Sequence, residues 1–264
     1  MDPLDLARAR LASAGDLSNA VAWCAEYAAL PAVLALVGHH DAEVRRAVAQ
    51  ALPRLSGAPR PPAVVSALVT LSADAVAEVR DWACYGLGSR LSEVDTPALR
   101  DALADRLDDP DPHTRCEALL GLARRCDPRA LPAVRVRLEG PDVRLTEIQA
   151  AGALGDPSLH TLVRGHLAGW GTDAVPKVCA ALRLTDPDGV GEDLIDGLAG
   201  WFAGPLDDRY WWSITLQLLD QAEHRSVEIA EAVQKRLRGN EDATARLLAS
   251  RLASVAGAHG WLPG

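Results

Sequence analysis

Apolar residues in this chain recur at helical spacing, in paired runs separated by turns rich in Gly, Asp and Pro. From residue 41 to 155 one pattern returns four times. It reads Asp41-Ala-Glu-Val-Arg45-Arg-Ala-Val-Ala-Gln-Ala-Leu52, then Glu78-Val-Arg80-Asp-Trp-Ala-Cys-Tyr-Gly-Leu87-Gly88. A third copy is Asp111-Pro-His-Thr-Arg115-Cys-Glu-Ala-Leu-Leu-Gly-Leu122, and a worn fourth ends in Glu147-Ile-Gln-Ala-Ala-Gly-Ala-Leu154-Gly155. Residues 45, 80 and 115 are spaced by 35, and residue 147 follows 32 later. A fixed period of this size predicts stacked repeats in which each unit buries its apolar side against its neighbours.

Each unit reads as a helical hairpin, helix A then helix B. The predicted pairs are 30–37 with 42–55, 63–71 with 76–90, 97–107 with 112–125, and 129–138 with 142–154. Ser56-Gly-Ala-Pro-Arg-Pro-Pro62 and Asp108-Asp-Pro-Asp-Pro112 interrupt the helices. A fifth helix A begins at Asp156-Pro157, where Asp can cap and Pro can take the first turn, and Val175 to Leu184 reads as its helix B. Beyond residue 169 the pattern decays, and 190–203, 208–222, 226–238 and 241–257 read as four more helices. The predicted organisation is one solenoid over 1–264, with a cap at 1–28, clear repeats at 29–168, and divergent repeats plus a C-terminal cap at 169–264.

Composition narrows the picture. Aromatics are 4% of residues while Ala, Leu and Val dominate, so the core is expected to be small and aliphatic. The net charge of −9 argues against a nucleic-acid partner, which would require a basic stripe. Lys177 and Lys235 are the two lysines, and the Arg, Ala, Gly and Pro excess reads as a GC-rich bacterial coding bias. The five cysteines (24, 84, 116, 126 and 179) form no C-x-x-C, so neither a disulfide framework nor a zinc ribbon is expected. The start lacks the features of a signal peptide, and no uninterrupted apolar run is long enough to span a membrane. These features predict a cytoplasmic protein with reduced thiols.

The turn Asp followed by Val-Arg-x-x-Ala-x-x-x-Leu-Gly resembles the HEAT family, especially bacterial HEAT-like repeats of the phycobilin-lyase type, over about 30–168. The resemblance implies an all-α fold, a right-handed α-solenoid of antiparallel helix pairs. It places A helices on the convex side and B helices along the concave side. It also implies a ladder of turn Asp and helix-B Arg that holds units together, to which Arg45, Arg80 and Arg115 correspond. The fourth copy departs, with Glu147 at the matching place and Arg144 as a possible substitute.

Helix-B positions between the core residues are expected to face the groove. The binding candidates are Arg46, Gln50, Asp81, Trp82, Tyr85, Glu117, Leu120 and Gln149. Trp82 and Tyr85 are three apart and share a face, and both are common interface anchors. Trp82 either packs on the neighbouring B helix or anchors a ligand. A second aromatic patch combines Trp201-Phe202 with Tyr210, Trp211 and Trp212. Adjacent Trp211 and Trp212 point about 100° apart on a helix, so one is expected to seal the core and the other to be exposed. The acids between Arg183 and Arg209 form either a solvated face or an acidic patch for a basic partner.

No Walker loop, G-x-S-x-G, H-E-x-x-H or G-x-G-x-x-G occurs, and no catalytic residue, metal or cofactor is assigned. His39-His40-Asp41 and Asp186-Pro-Asp188-Gly189 read as turns, and His160 and His166 are badly spaced for a shared metal. HEAT-like iron hydroxylases use His-Glu dipeptides, which this chain lacks. HEAT-like DNA glycosylases place Asp one turn after Trp, where this chain has Gly86. The expected function is a non-catalytic scaffold or adaptor whose groove holds a protein or peptide, as in assembly or toxin-neutralising factors, with the acidic balance fitting a basic partner. The alternative is a lyase-like or other enzyme accessory protein that uses the groove as a small-molecule pocket.

Overall fold

The computed structural model describes residues 30–55, 60–204 and 210–263. The expected cap at 1–28, Cys24, most of the 56–62 linker, Asp207 and Asp208 lie outside the described residues. Among the described residues there are fifteen α-helices and no strand. The chain is an all-α solenoid of paired helices, and it divides into two compact units, 1–129 and 130–264.

The first unit contains α1 (Leu30–Leu34), α2 (Ala42–Leu55), α3 (Pro62–Leu71), α4 (Ala77–Tyr85), α5 (Pro97–Ala104) and α6 (Pro112–Arg124). A π-helical turn, Gly86–Arg90, continues α4. The A helices α1, α3 and α5 pack in one row, and the B helices α2, α4 and α6 pack in another. Local chemistry sets the helix starts: Thr96 and Asp111 cap α5 and α6 through Leu99 N and Thr114 N at 3.3 and 2.7 Å, with Pro in the first turn of each.

The B row is held by a ladder. Arg45 forks onto the Asp74 carboxylate at 2.6 and 2.9 Å, and Arg80 onto Asp109 at 2.8 and 2.7 Å. Each arginine spends its remaining donors on two carbonyls of its own turn: His39 and His40 for Arg45, Asp74 and Ala75 for Arg80, Asp109 and Pro110 for Arg115. The acids of the rungs lie six residues before the next arginine, two ahead of the turn position the repeat pattern emphasises at Asp111. Their second task explains the position: Asp74 and Asp109 accept from the N–H two residues on, as His39 Nδ1 does from Asp41 in the first repeat. At the matching place in the fourth copy, the Glu147 carboxylate accepts from Arg144 N at 2.8 Å and closes the start of its helix.

Small residues set the distance between B helices. A Cβ on Gly121 would stand 2.6 Å from the Gly88 Cα, so the two backbones cross where a side chain would not fit. Buried Arg125 satisfies the carbonyls of Leu87, Leu91, Val94 and Gly121 around the π-helical turn, and burial lowers its pKa to about 10.

The second unit contains α7 (Ala130–Leu138), α8 (Leu145–Leu154), α9 (His160–Gly165), α10 (Val175–Leu184), α11 (Glu192–Ala203), α12 (Tyr210–Gln221), α13 (Ser226–Arg236), α14 (Glu241–Leu248) and α15 (Arg251–Ala258). Asp156 caps the turn before α9 through Ser158 N. The single helix expected over 241–257 is two, because Ser250 caps a new start through Ala253 N at 3.3 Å. An apolar cluster that includes Phe202, Leu218, Ile229 and Trp261 joins α10 to α15.

Candidate functional site

Four of the groove candidates meet in the first unit. Gln50 on α2 turns its amide oxygen to the Trp82 indole N–H and to Arg46, each at 2.9 Å. Arg46 is held in turn by Glu43, one helical turn back, at 2.6 and 3.1 Å. The Tyr85 ring meets Trp82 edge to face, with centroids 5.7 Å apart and planes at 88°. Both rings are half-buried. Trp82 therefore bonds to the neighbouring B helix and keeps part of its surface open.

The two rings border a cleft of about 120 Å³ whose other walls are Ala49, Gln50, Pro53, Arg54 and Arg90. Pro53 is buried within α2, and a Cβ on Gly86 would approach its Cγ at 3.1 Å, so the glycine admits α4 close to α2. Arg54 follows Gln50 by four residues and Arg46 by eight, one continuous stripe of α2. Arg90 follows Tyr85 by five, a spacing that shares a face only across a π-helical turn. Sequence spacing could have yielded Arg54; nothing in the pattern signals the extra residue that brings in Arg90.

A second feature of the same row is a pair of carboxylic acids, Asp81 on α4 and Glu117 on α6, both half-buried. Burial raises the pKa of Asp81, with Asp111 adding to it. Burial also raises that of Glu117, against a hydrogen bond from Ser89 Oγ at 3.1 Å, and the charge of Asp81 adds to the rise. Neither acid lines the aromatic cleft.

Two candidates are corrected. Leu120 and Gln149 were expected to face the groove but are 4% and 9% exposed. Each lies on a B helix packed both on its own A helix and on neighbouring B helices, α6 on α4 and α8 on α10. The buried arc of such a helix is wider than the stripe of a surface helix.

The second aromatic patch is mostly packed. Trp212 stacks on Trp201 with centroids 4.9 Å apart and planes at 9°. Trp211 lies against Gly197, where a Cβ would collide with its ring. Both are half-buried, and Tyr210 is 61% exposed, edge-on to Trp211. The acids nearby are not a bare patch: Arg183 forks onto Asp193 at 2.6 and 2.9 Å, and Arg236 bonds Glu192 and Asp196. Among the described residues, no three His, Cys, Asp or Glu side chains are placed to hold a metal ion, and no helix is long and apolar enough to cross a membrane.

Comparison with known proteins agrees with this geometry. The family model for HEAT repeats matches residues 8–88 and 65–155. Protein YibA of Escherichia coli, in strains K12 and O157:H7, is 33% identical over 116 residues, 44% of this chain. The match spans 39% of YibA's length. The crystal structure of E. coli YibA superposes with a TM-score of 0.54 at 22% identity, over 68% of this chain and 67% of that one, a likeness of fold.

Proposed function

Because this chain belongs to the HEAT-repeat family, we propose that it is a non-catalytic, cytoplasmic protein-binding scaffold whose B-helix row holds a protein or peptide segment. The observation that carries this reading is the aromatic cleft. Its volume of about 120 Å³ falls below the roughly 300–1,000 Å³ of small-molecule sites. It has room for one side chain of a partner, against two rings of the residue types that most often anchor interfaces. A repeat stack suits such work, since its long row of B helices can carry contacts beyond a single anchor.

The accessory-enzyme reading draws on Asp81 and Glu117, since raised carboxyl pKa values also mark acid–base sites. Those acids do not line the cleft. The test is an affinity capture from the native lysate with wild type and a Trp82→Ala/Tyr85→Ala variant, both checked by circular dichroism. A protein held by wild type and lost by the variant supports the scaffold. Equal capture by both removes the cleft as the site, and capture of nothing favours the small-molecule reading.

A further inference from the structure

We propose that the segment held by the cleft is acidic, with one apolar side chain seated between Trp82 and Tyr85 and flanking carboxylates on Arg54 and Arg90. This deepens, and rests on, the scaffold reading above. The chain carries a net charge of −9, which taken alone points to a basic partner, yet the cleft is locally positive. Arg54 and Arg90 are both exposed and both line it. Among the described residues neither guanidinium is paired with a carboxylate.

Within this unit Arg45, Arg60, Arg80, Arg100 and Arg129 each meet an acid, while Arg115 and Arg125 are spent on backbone carbonyls. Glu43 is engaged by Arg46, and Glu93 by Arg60. Asp81 and Glu117 do not reach the cleft. Two free forks beside an apolar, ring-walled notch match a carboxylate–apolar–carboxylate segment, because a guanidinium binds a carboxylate with two parallel N–H bonds. Gln50 is already committed to Trp82 and Arg46, so it fixes the ring and leaves the arginines to read the partner's charge. Arg54 sits in the last turn of α2, where the helix dipole favours a cation and helps hold it in place.

The test is a selection of random linear peptides displayed on phage against the full chain, depleted on the Trp82→Ala/Tyr85→Ala variant. The expected outcome is enrichment of sequences with one apolar residue flanked by Asp or Glu. Synthetic versions should bind Arg54→Glu/Arg90→Glu about tenfold or more weakly, because like charges then face each other. Their binding should also weaken as salt rises. Both arginines are exposed, so the variant is expected to keep its fold, which circular dichroism checks. Cleft-dependent peptides that are neutral or basic would overturn the acidic assignment and leave the scaffold standing. No cleft-dependent peptide at all would overturn both. Displacement of the selected peptides by a single-stranded DNA oligonucleotide would reassign the cleft to nucleic acid.

Discussion

Replacing Arg80 with Met tests the ladder that holds the first unit together. The Arg80 and Asp109 side chains are 10% and 1% exposed and share two charge-assisted bonds, so the substitution strands a buried carboxylate. Removing one partner of a buried pair costs about 3–5 kcal/mol. Asp109 keeps the Asp111 N–H at 2.9 Å and has Arg106 at 3.6 Å, which points to the lower end, about 3 kcal/mol. The Arg45–Asp74 rung is more open, at 16% and 9%, and Arg45→Met should cost less, about 1–2 kcal/mol. Stacked repeats can open piecemeal, so the appropriate assay is hydrogen exchange of the full chain, read on the amides of α4 and α6. Arg80→Met should raise their opening constant by about a hundredfold, which is roughly 3 kcal/mol. Adding Asp109→Asn removes the stranded charge and keeps the turn acceptor, and should recover part of the loss. A change below about tenfold in the single variant, or no recovery in the double, would refute a buried-pair origin.

Gly121→Ala places a methyl 2.6 Å from the Gly88 backbone and should cost about 1–3 kcal/mol in urea unfolding, while Gly38→Ala, with nothing within 4 Å, should be near neutral. Glu117 has a raised pKa in the folded chain, so as pH climbs past about 4.3 the unfolded carboxyl ionises first and the fold loses ground. Glu117→Gln, which keeps an acceptor for Ser89, should therefore stabilise the protein at pH 7 by about 0.5–1.5 kcal/mol and do nothing at pH 3. Asp127 behaves oppositely: the hydrogen bonds from Arg129 hold its pKa at about 2. Its contribution is complete above about pH 4 and lost as pH falls towards 2, and Asp127→Asn should flatten that part of a stability-versus-pH curve.

The repeat and most helix boundaries were legible in the chain because the apolar period and the Asp-Pro and Thr-Pro starts are local signals. Helix α10 falls on the predicted 175–184, and α2 on 42–55. Arg45, Arg80 and Arg115 recur in one register, but among the described residues Arg45 and Arg80 grip an acid while Arg115 bonds only carbonyls of its own turn. The acids Asp74 and Asp109 were not legible, because they are chosen by a turn geometry that His39 can also satisfy. Trp82, Tyr85, Gln50 and Arg46 came out of helical spacing and do lie together. Leu120 and Gln149 failed because spacing along one helix does not report how many neighbours that helix has. Arg90 was hidden by a π-helical turn, which shifts the face by one residue and leaves no mark in composition.

The proposed role puts a partner protein on the row of α2 and α4, at the aromatic cleft. Site-specific photocrosslinking tests it most directly, with a photoreactive amino acid placed at Tyr85 and, as a control, at the exposed Ala98 of the A-helix row. A discrete protein adduct is expected from position 85, abolished by Trp82→Ala and absent from position 98. Equal adducts from both positions, or an adduct that persists without Trp82, would contradict it.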